Sequence, residues 1–276
     1  MTRPFDLGPA LLFCPADRPD RYGKALDRSD AVILDLEDAV APTGRPGARR
    51  ALADHLIDAR RVIVRVNPAG SDDFDDDIAA VSESGYDTVM LAKTSSRSDV
   101  DAVAAHDASL AVIALCESAA GILAVAEIAA APSVVALMWG AEDLVASLGG
   151  TGSRFADGRY RAVAEHARSS VLLAAGAQGK AAIDTVHLAI ADVDGLRAEA
   201  EDAVASGFAA TACIHPSQVE VIRAAYRPND DQVADARALL AVAARHGGVF
   251  RHRDQMVDGP VLRHAEAVVR RAERKI

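Results

Sequence analysis

Short apolar runs recur along the chain and are separated by longer amphipathic stretches. The runs are rich in Val, Ile and Leu and do not alternate polar with apolar residues, which is typical of strands buried on both faces of a parallel sheet. The runs are ALLFCP (10–15), AVILDLED (31–38), RVIVRVN (61–67), TVMLAK (88–93), AVIALCES (111–118), VVALMWGAED (134–143), AIDTVHL (182–188) and TACIHP (211–216). The pattern predicts buried parallel strands.

The stretches between the runs have the spacing of amphipathic helices, with apolar residues three or four positions apart. Residues 18–29, 45–59, 72–84 and 118–131 follow this pattern. Strands that alternate with helices in this number predict an α/β fold, a (β/α)8 TIM barrel. A doubly wound open sheet is the alternative, and it is less favoured because no Gly-x-Gly-x-x-Gly follows the first run.

Two segments depart from the strand–helix alternation. Residues 144–180 form a long excursion after the sixth run, and its glycine-rich part, residues 149–158, predicts a loop over the barrel mouth. Past the eighth run we expect a C-terminal helical extension. We therefore divide the chain into a barrel, residues 1–225, and an extension, residues 226–276, that packs on a neighbouring subunit; residues 246–260 are expected to be a polar linker between its helices.

Composition narrows the classes of partner and the location. The formal net charge of -10 disfavours nucleic acid and anionic membrane surfaces as partners. The three cysteines are scattered and form no Cys-x-x-Cys pair, as expected of reduced intracellular thiols. The N-terminus has no signal-peptide pattern, and no apolar run approaches the ~20 residues of a membrane span. We expect a cytoplasmic protein.

Charged and polar residues gather at the ends of the runs, where the active sites of such barrels lie. They are Asp35, Glu37, Asp38, Arg65, Asn67, Lys93, Glu117, Glu142, Asp143 and His215. Carboxylates that close to one another would repel and take up protons unless a cation joined them. One or two carboxylates completed by water and substrate are typical of a Mg²⁺ site.

Each of these residues also has a simpler interpretation. The carboxylates can cap the helices that follow them, and a lone histidine such as His215 is more often structural. Lys93 can form a Schiff base with a keto acid, although a metal site already supplies an electron sink. The sequence contains no Gly-x-Ser-x-Gly for a catalytic serine.

The motifs at these positions resemble a known family. LLFCPADRPDRYGKA, VILDLEDAV, VIVRVN, ALCESAAGI, MWGAEDL, CIHPSQ and QMVDGPVLRHAE occur in this order. The chain resembles the citrate lyase beta-subunit and malyl-CoA lyase family, within the wider HpcH/HpaI aldolase superfamily, from about residue 10 to residue 270. It is most similar to the stand-alone, citrate-lyase-like members.

The resemblance implies site residues and cofactors. Glu117 and Asp143 match ligands of Mg²⁺, and Arg65 matches an arginine that binds the keto-acid and thioester oxygens. The positions expected to contact coenzyme A or substrate are Phe13, Lys24, Asp35, Glu37, Asp38, Ile214 and His215. Asp258 matches a catalytic acid/base that related enzymes deliver from a neighbouring subunit, which implies a homo-oligomer, a trimer or a hexamer. From its position alone, Asp258 could simply cap the last helix.

The implied activity is a Mg²⁺-dependent carbon–carbon lyase. It would cleave a short 3-hydroxyacyl-CoA, of the citramalyl-CoA, malyl-CoA or 3-hydroxy-3-methylglutaryl-CoA type, to acetyl-CoA and a keto acid. Arg18, Arg21 and Lys24 form a cationic stretch suited to the phosphates of coenzyme A. Three alternatives remain: a citrate lyase beta subunit acting on a carrier-protein thioester, an aldolase that uses free keto acids, and a non-catalytic regulatory barrel that binds a metabolite.

Overall fold

The computed structural model describes residues 5–246 and 248–273. Contacts divide the chain into two compact units, the first ending at Ile222 and the second beginning at Arg223. The strands of the first unit are β1 Ala10–Pro15, β2 Ala31–Asp35, β3 Val62–Val66, β4 Thr88–Leu91, β5 Ala111–Cys116, β6 Val134–Trp139, β7 Ala181–Asp184 and β8 Ala210–Cys213.

These strands form a closed parallel barrel, in which each strand pairs with the next and β8 pairs with β1. The predicted α/β barrel is therefore confirmed, and the doubly wound alternative is wrong because closure leaves no open edge. The predicted runs extend one to four residues beyond most strands at their carboxyl ends. Those extra residues lie at the barrel mouth, in the loops and in the first turns of α7 and α10, where the charged side chains are.

Helices follow the strands around the barrel. They are α1 Pro19–Arg28, α2 Arg45–Asp54, α3 Phe74–Ser84, α4 Arg97–His106, α5 Ala119–Leu123, α6 Val125–Ala129, α7 Ala141–Ser147, α8 Ala162–Ala177, α9 Val193–Ser206 and α10 Pro216–Tyr226. The stretch 118–131 forms two short helices rather than the single expected one, with the break at Ala124. The helices cover the outer face of the sheet, which explains the apolar character of the strands on both faces.

Alternate residues from all eight strands form one buried cluster. Its members are Leu11, Ala31, Ile33, Ile63, Met90, Ile113, Leu115, Ala136, Met138, Ile183, Ala210 and Ala212. Because side chains alternate between the two faces of a strand, this cluster fills the barrel interior. Phe13, Asp35 and Arg65 lie two residues beyond Leu11, Ile33 and Ile63, so they face the same interior one layer nearer the mouth.

The second unit contains α11 Asp230–Ala243, β9 Phe250–His252, β10 Gln255–Val257 and α12 Gly259–Glu273. The segment expected to be an irregular linker instead carries an antiparallel hairpin of β9 and β10. Its turn places Arg253 and Asp254 at φ of 45° and 61°. The hydrophobic positions of these strands are too few for the pattern to predict them. The packing of residues 226–276 on a neighbouring subunit stays a prediction.

Candidate active site

Arg65 and Asp35 form the floor of the candidate site. Arg65 Nε donates to Asp35 Oδ1 at 2.7 Å, and Arg65 Nη2 donates to Asp35 Oδ2 at 2.6 Å. Asp35 is 1% exposed and Arg65 is 9% exposed. Burial by itself would lower the pKa of Arg65, but the bond to Asp35 and the charges of Asp35 and Glu37 raise it. The guanidinium therefore stays charged in a buried position.

Glu37 joins Arg65 to Lys93. Its Oε2 lies 3.1 Å from Arg65 Nη1, and its Oε1 accepts a hydrogen bond from Lys93 Nζ. Burial raises the pKa of Glu37, while the charges of Arg65 and Lys93 act in the opposite direction. A carboxylate buried between two cations is electrostatically compensated, and it fixes the separation of those cations.

Lys93 reaches three carboxylates from the loop after β4. Besides Glu37, its Nζ lies 3.4 Å from Asp143 Oδ1 and 3.6 Å from Asp38 Oδ2. Burial alone would lower the pKa of Lys93, but the hydrogen bond and charge of Glu37 raise it. A protonated amine is not a nucleophile, so this setting opposes the Schiff-base alternative.

Glu117 and Asp143 lie at the ends of neighbouring strands. Glu117 follows β5 and is 4% exposed, and its Oε1 accepts a hydrogen bond from the backbone N–H of Lys93 at 3.0 Å. Asp143 lies in the first turn of α7 and is partly exposed. Burial, and then the negative charge of Asp143, raise the pKa of Glu117 to about 8. A bound cation would relieve both effects.

Gly140 gives Glu117 its space. A Cβ at position 140 would lie 2.6 Å from Glu117 Oε2 and 2.8 Å from Glu117 Cβ. Glycine is thus required here by close approach. No local pattern in the sequence marks Gly140, because its contact with Glu117 joins the ends of two different strands.

These residues fit a Mg²⁺ ion. In the described part of the chain, no three or more His, Cys, Asp or Glu side chains form a metal-binding group. Mg²⁺ commonly takes one or two carboxylates and completes its shell with water and substrate, so a pair of carboxylates suffices. Burial and the charge of Asp143 both destabilise the ionised form of Glu117. A carboxylate in this setting is suited to bind a cation.

The remaining predicted residues occupy varied settings. The Phe13 ring lies beneath Arg65, with 5.0 Å from its centroid to Arg65 Cζ. Lys24 is exposed on α1, and Arg18 of the same cationic stretch pairs with Asp20 at 3.0 Å. His215 is exposed, and its Nδ1 lies 2.7 Å from Ser217 Oγ. The Ile214 N–H donates to Gln218 Oε1 at 3.0 Å.

Three other predicted positions have structural partners. Asn67 Nδ2 donates to Asp77 Oδ2 at 2.7 Å, which ties β3 to α3. Glu142 accepts a hydrogen bond from Ser153 Oγ of the excursion after β6. Asp258 precedes α12 in the second unit, where its Oδ1 accepts the Val261 N–H at 3.4 Å. This is the capping contact expected from its position, and the contact is compatible with an acid/base role for Asp258.

A buried network beside the carboxylates anchors the excursion after β6. Trp139 Nε1 donates to Asp184 Oδ1 at 2.6 Å, and Arg168 Nη2 donates to Asp184 Oδ2 at 2.8 Å. The Tyr160 ring meets Trp139 edge-on at 5.2 Å between centroids, and Arg154 Cζ lies 3.7 Å from the Tyr160 centroid. A loop was expected over residues 149–158 only, and the rest of the excursion contains α8. No local pattern in the sequence marks the side chains that hold this loop.

A cavity of about 830 Å³ adjoins this network. Its walls include Arg154, Tyr160, His187, Glu199 and Glu142. Glu142, which lines the cavity, is adjacent in sequence to Asp143. Among the described residues that line it, none is Arg65, Lys93, Glu117 or Asp143.

Comparison with known proteins identifies close relatives. The chain is 53% identical over 265 residues to a citrate lyase subunit beta-like protein of Mycobacterium tuberculosis, covering 96% of each chain. It is 35% identical to a (3S)-malyl-CoA thioesterase of Cereibacter sphaeroides, covering 95% of this chain and 92% of that one.

A solved structure of the protein CitE of Mycobacterium tuberculosis, in complex with magnesium, acetoacetate and coenzyme A, superimposes with a TM-score of 0.91 at 52% identity. The match covers 97% of this chain and 98% of that chain.

Within residues 5–246 and 248–273, no helix has the length and apolar character of a membrane span.

The family model described as HpcH/HpaI aldolase/citrate lyase matches residues 10–216. The matched segment begins with β1 and ends just after β8, so it spans the whole barrel and every candidate residue at its mouth. The resemblance drawn from the sequence motifs is thereby confirmed. The chain belongs to the HpcH/HpaI aldolase/citrate lyase family.

Proposed function

We propose that this protein is a Mg²⁺-dependent carbon–carbon lyase that splits a short 3-hydroxyacyl-CoA into acetyl-CoA and a keto acid. The observation that carries the proposal is the meeting of Arg65, Glu117 and Asp143 at one barrel mouth. The magnesium, acetoacetate and coenzyme A bound by the related CitE of Mycobacterium tuberculosis support it.

Glu117 and Asp143 are the proposed ligands of Mg²⁺. When bound there, the ion supplies Lewis-acid polarisation of the oxygens of the departing keto acid. Glu117 is buried and Asp143 is more exposed, so the pair offers one fixed and one accessible ligand.

Arg65 is proposed to bind the oxygens that gain charge. Cleavage of the bond between C2 and C3 would leave its electrons on the thioester as an enolate. The hydroxyl-bearing carbon would become the carbonyl of the keto acid, and its hydroxyl proton would pass to a carboxylate at the end of β2. Asp35 and Glu37 contact Nε, Nη1 and Nη2 of Arg65. Each terminal nitrogen carries a second N–H, so two donors remain for substrate.

Asp258 is proposed to protonate the enolate carbon, which yields acetyl-CoA; in the reverse direction it would remove that proton. The resemblance assigns this residue to the site of a neighbouring subunit, and this supports a homo-oligomer.

The proposed contacts of coenzyme A and substrate are Lys24, Phe13, Ile214 and His215. Asp38 is proposed to form part of the barrel mouth. The three cysteines are buried, and none forms a disulfide within the described residues, which supports the cytoplasm as the proposed location.

The deciding experiment mixes the purified protein with citramalyl-CoA, malyl-CoA and 3-hydroxy-3-methylglutaryl-CoA, each with Mg²⁺ and with excess EDTA. Acetyl-CoA and free coenzyme A are followed by chromatography. Mg²⁺-dependent acetyl-CoA release supports the lyase, and the fastest substrate identifies the keto acid. Free coenzyme A without acetyl-CoA would instead indicate hydrolysis, as in the thioesterase relative. No reaction with any thioester would overturn the proposal and favour a carrier-protein substrate or a regulatory barrel.

A mixing experiment tests whether Asp258 acts across subunits. Asp258→Asn and Glu117→Gln are each expected to lose activity, whereas Asp254→Asn, in the exposed hairpin turn, serves as the matched control. If each site combines Glu117 of one subunit with Asp258 of another, co-expressed variants should regain about a quarter of wild-type activity, because about a quarter of sites have both residues. Absence of any recovery would refute the shared site.

A further inference from the structure

Lys93 contacts the candidate metal site through two different groups. Its backbone N–H donates to Glu117 Oε1 at 3.0 Å, and its ammonium lies 3.4 Å from Asp143 Oδ1. One residue therefore contacts both proposed metal ligands. Its side chain is about one-third exposed and is also hydrogen-bonded to Glu37, so it is tethered at the mouth rather than free in solvent.

The backbone of Lys93 is in the left-handed region, with φ of 50°. Non-glycine residues rarely adopt this conformation, and where they do, the surrounding structure enforces it. Here the conformation points the N–H at Glu117 while the side chain runs to Glu37 and Asp143. The backbone N–H of Lys93 thus positions the carboxylate of Glu117, and the ammonium of Lys93 offsets the charge of Asp143.

We propose that the Lys93 ammonium is a tethered competitor of the divalent cation, occupying Asp143 before the metal binds and leaving it when the metal arrives. The inference rests on the proposed function in so far as Glu117 and Asp143 are the metal ligands. Glu37 stays bonded to the Lys93 ammonium with and without metal, because its carboxylate pairs with Arg65 and Lys93 and is not a metal ligand.

The energetic reason is repulsion between like charges. An ammonium at contact distance from Asp143 shares the oxygen that the metal needs, and its charge opposes that of the metal. The site is therefore stable without metal, at the cost of weaker metal binding. Removing the ammonium should strengthen metal binding, whereas a residue that helped to hold the metal would have the opposite effect on substitution.

The test measures metal affinity directly and needs no thioester. Protein stripped with EDTA is titrated with Mn²⁺ at low ionic strength, where screening is small, and free Mn²⁺ is counted by electron paramagnetic resonance. Lys93→Met and Lys93→Gly are expected to bind Mn²⁺ about tenfold more tightly than wild type. Lys93→Arg keeps the charge and should stay near wild type. Glycine also accepts the positive φ, so that variant guards against misfolding of Lys93→Met.

Arg60→Met is the matched control, since it removes one positive charge from an exposed side chain that precedes β3, at the opposite end of the barrel. It should bind Mn²⁺ as wild type does. Equal or weaker binding by both neutral Lys93 variants would overturn the inference alone. If wild type binds no Mn²⁺, or Glu117→Gln binds it unchanged, the proposed metal ligands and this inference fail together.

Discussion

Arg65 donates two parallel hydrogen bonds to Asp35, at 2.7 and 2.6 Å, from the neighbouring strand of the barrel. Both residues are buried, so neither charge can be left to water. We expect Asp35→Asn to lower the free energy of unfolding by about 3 kcal/mol, because an uncompensated buried charge is costly. Urea unfolding measures the change.

The control for this pair is Asp20→Asn, which breaks the exposed pair with Arg18. Exposed pairs contribute little, so this variant should unfold as wild type does. Equal stability of the Asp35 and Asp20 variants would mean that Glu37 alone compensates Arg65.

Gly140→Ala should disrupt the candidate metal site without unfolding the barrel. The added Cβ would lie 2.6 Å from Glu117 Oε2, so the carboxylate must move. Displacing a ligand in this way is expected to weaken Mn²⁺ binding by about ten- to hundredfold. Gly152→Ala, where a Cβ meets nothing within 4 Å, is the control. Unchanged Mn²⁺ affinity of the Gly140 variant would argue against Glu117 as a ligand.

The stability of the metal-free protein should depend on the protonation of Glu117. Burial and the charge of Asp143 raise its pKa from 4.5 to about 8 in the folded chain. Between these pH values the folded state holds a proton that the unfolded state has lost, so this contribution to stability falls as pH rises. Above pH 8 the contribution of Glu117 to the free energy of unfolding no longer changes with pH.

Glu117→Gln removes this titration and isolates it from the other carboxylates. With EDTA present, the difference in unfolding free energy, wild type minus variant, should fall between about pH 5 and pH 8. Urea unfolding at several pH values gives the difference. A difference that stayed constant or rose would show that Glu117 is ionised in the folded, metal-free chain.

Tyr160 is expected to protect the excursion after β6 from proteolysis. Its ring contacts Trp139 and lies under Arg154, and the surrounding loop offers Arg154, Arg159 and Arg161 to trypsin. We expect Tyr160→Ala to be cleaved in this loop several-fold faster, since local opening exposes the chain. Leu148→Ala, which shortens an exposed side chain of the same excursion, is the control. Equal cleavage of wild type and both variants would exclude Tyr160 as the anchor.

The order of apolar runs and amphipathic stretches was enough to predict the barrel. Strands buried on both faces are marked by local composition, and β1 is bounded by the predicted residues at both ends. Barrel topology then brings the carboxyl ends together, so Asp35, Arg65, Lys93 and Glu117 were expected at one mouth. The hairpin of β9 and β10 escaped prediction because its strands are three residues long and carry few apolar positions.

The sequence by itself determined which charged residues reach the mouth, because strand order and the period of two depend on local pattern and burial. Only the tertiary structure decided how those charges pair. Arg65 binds Asp35 from 30 positions away, Lys93 binds Glu37 from 56 positions away, and Gly140 makes room for Glu117. Such contacts depend on loop conformation and on ångström-scale distances between strands, which no local run of residues specifies.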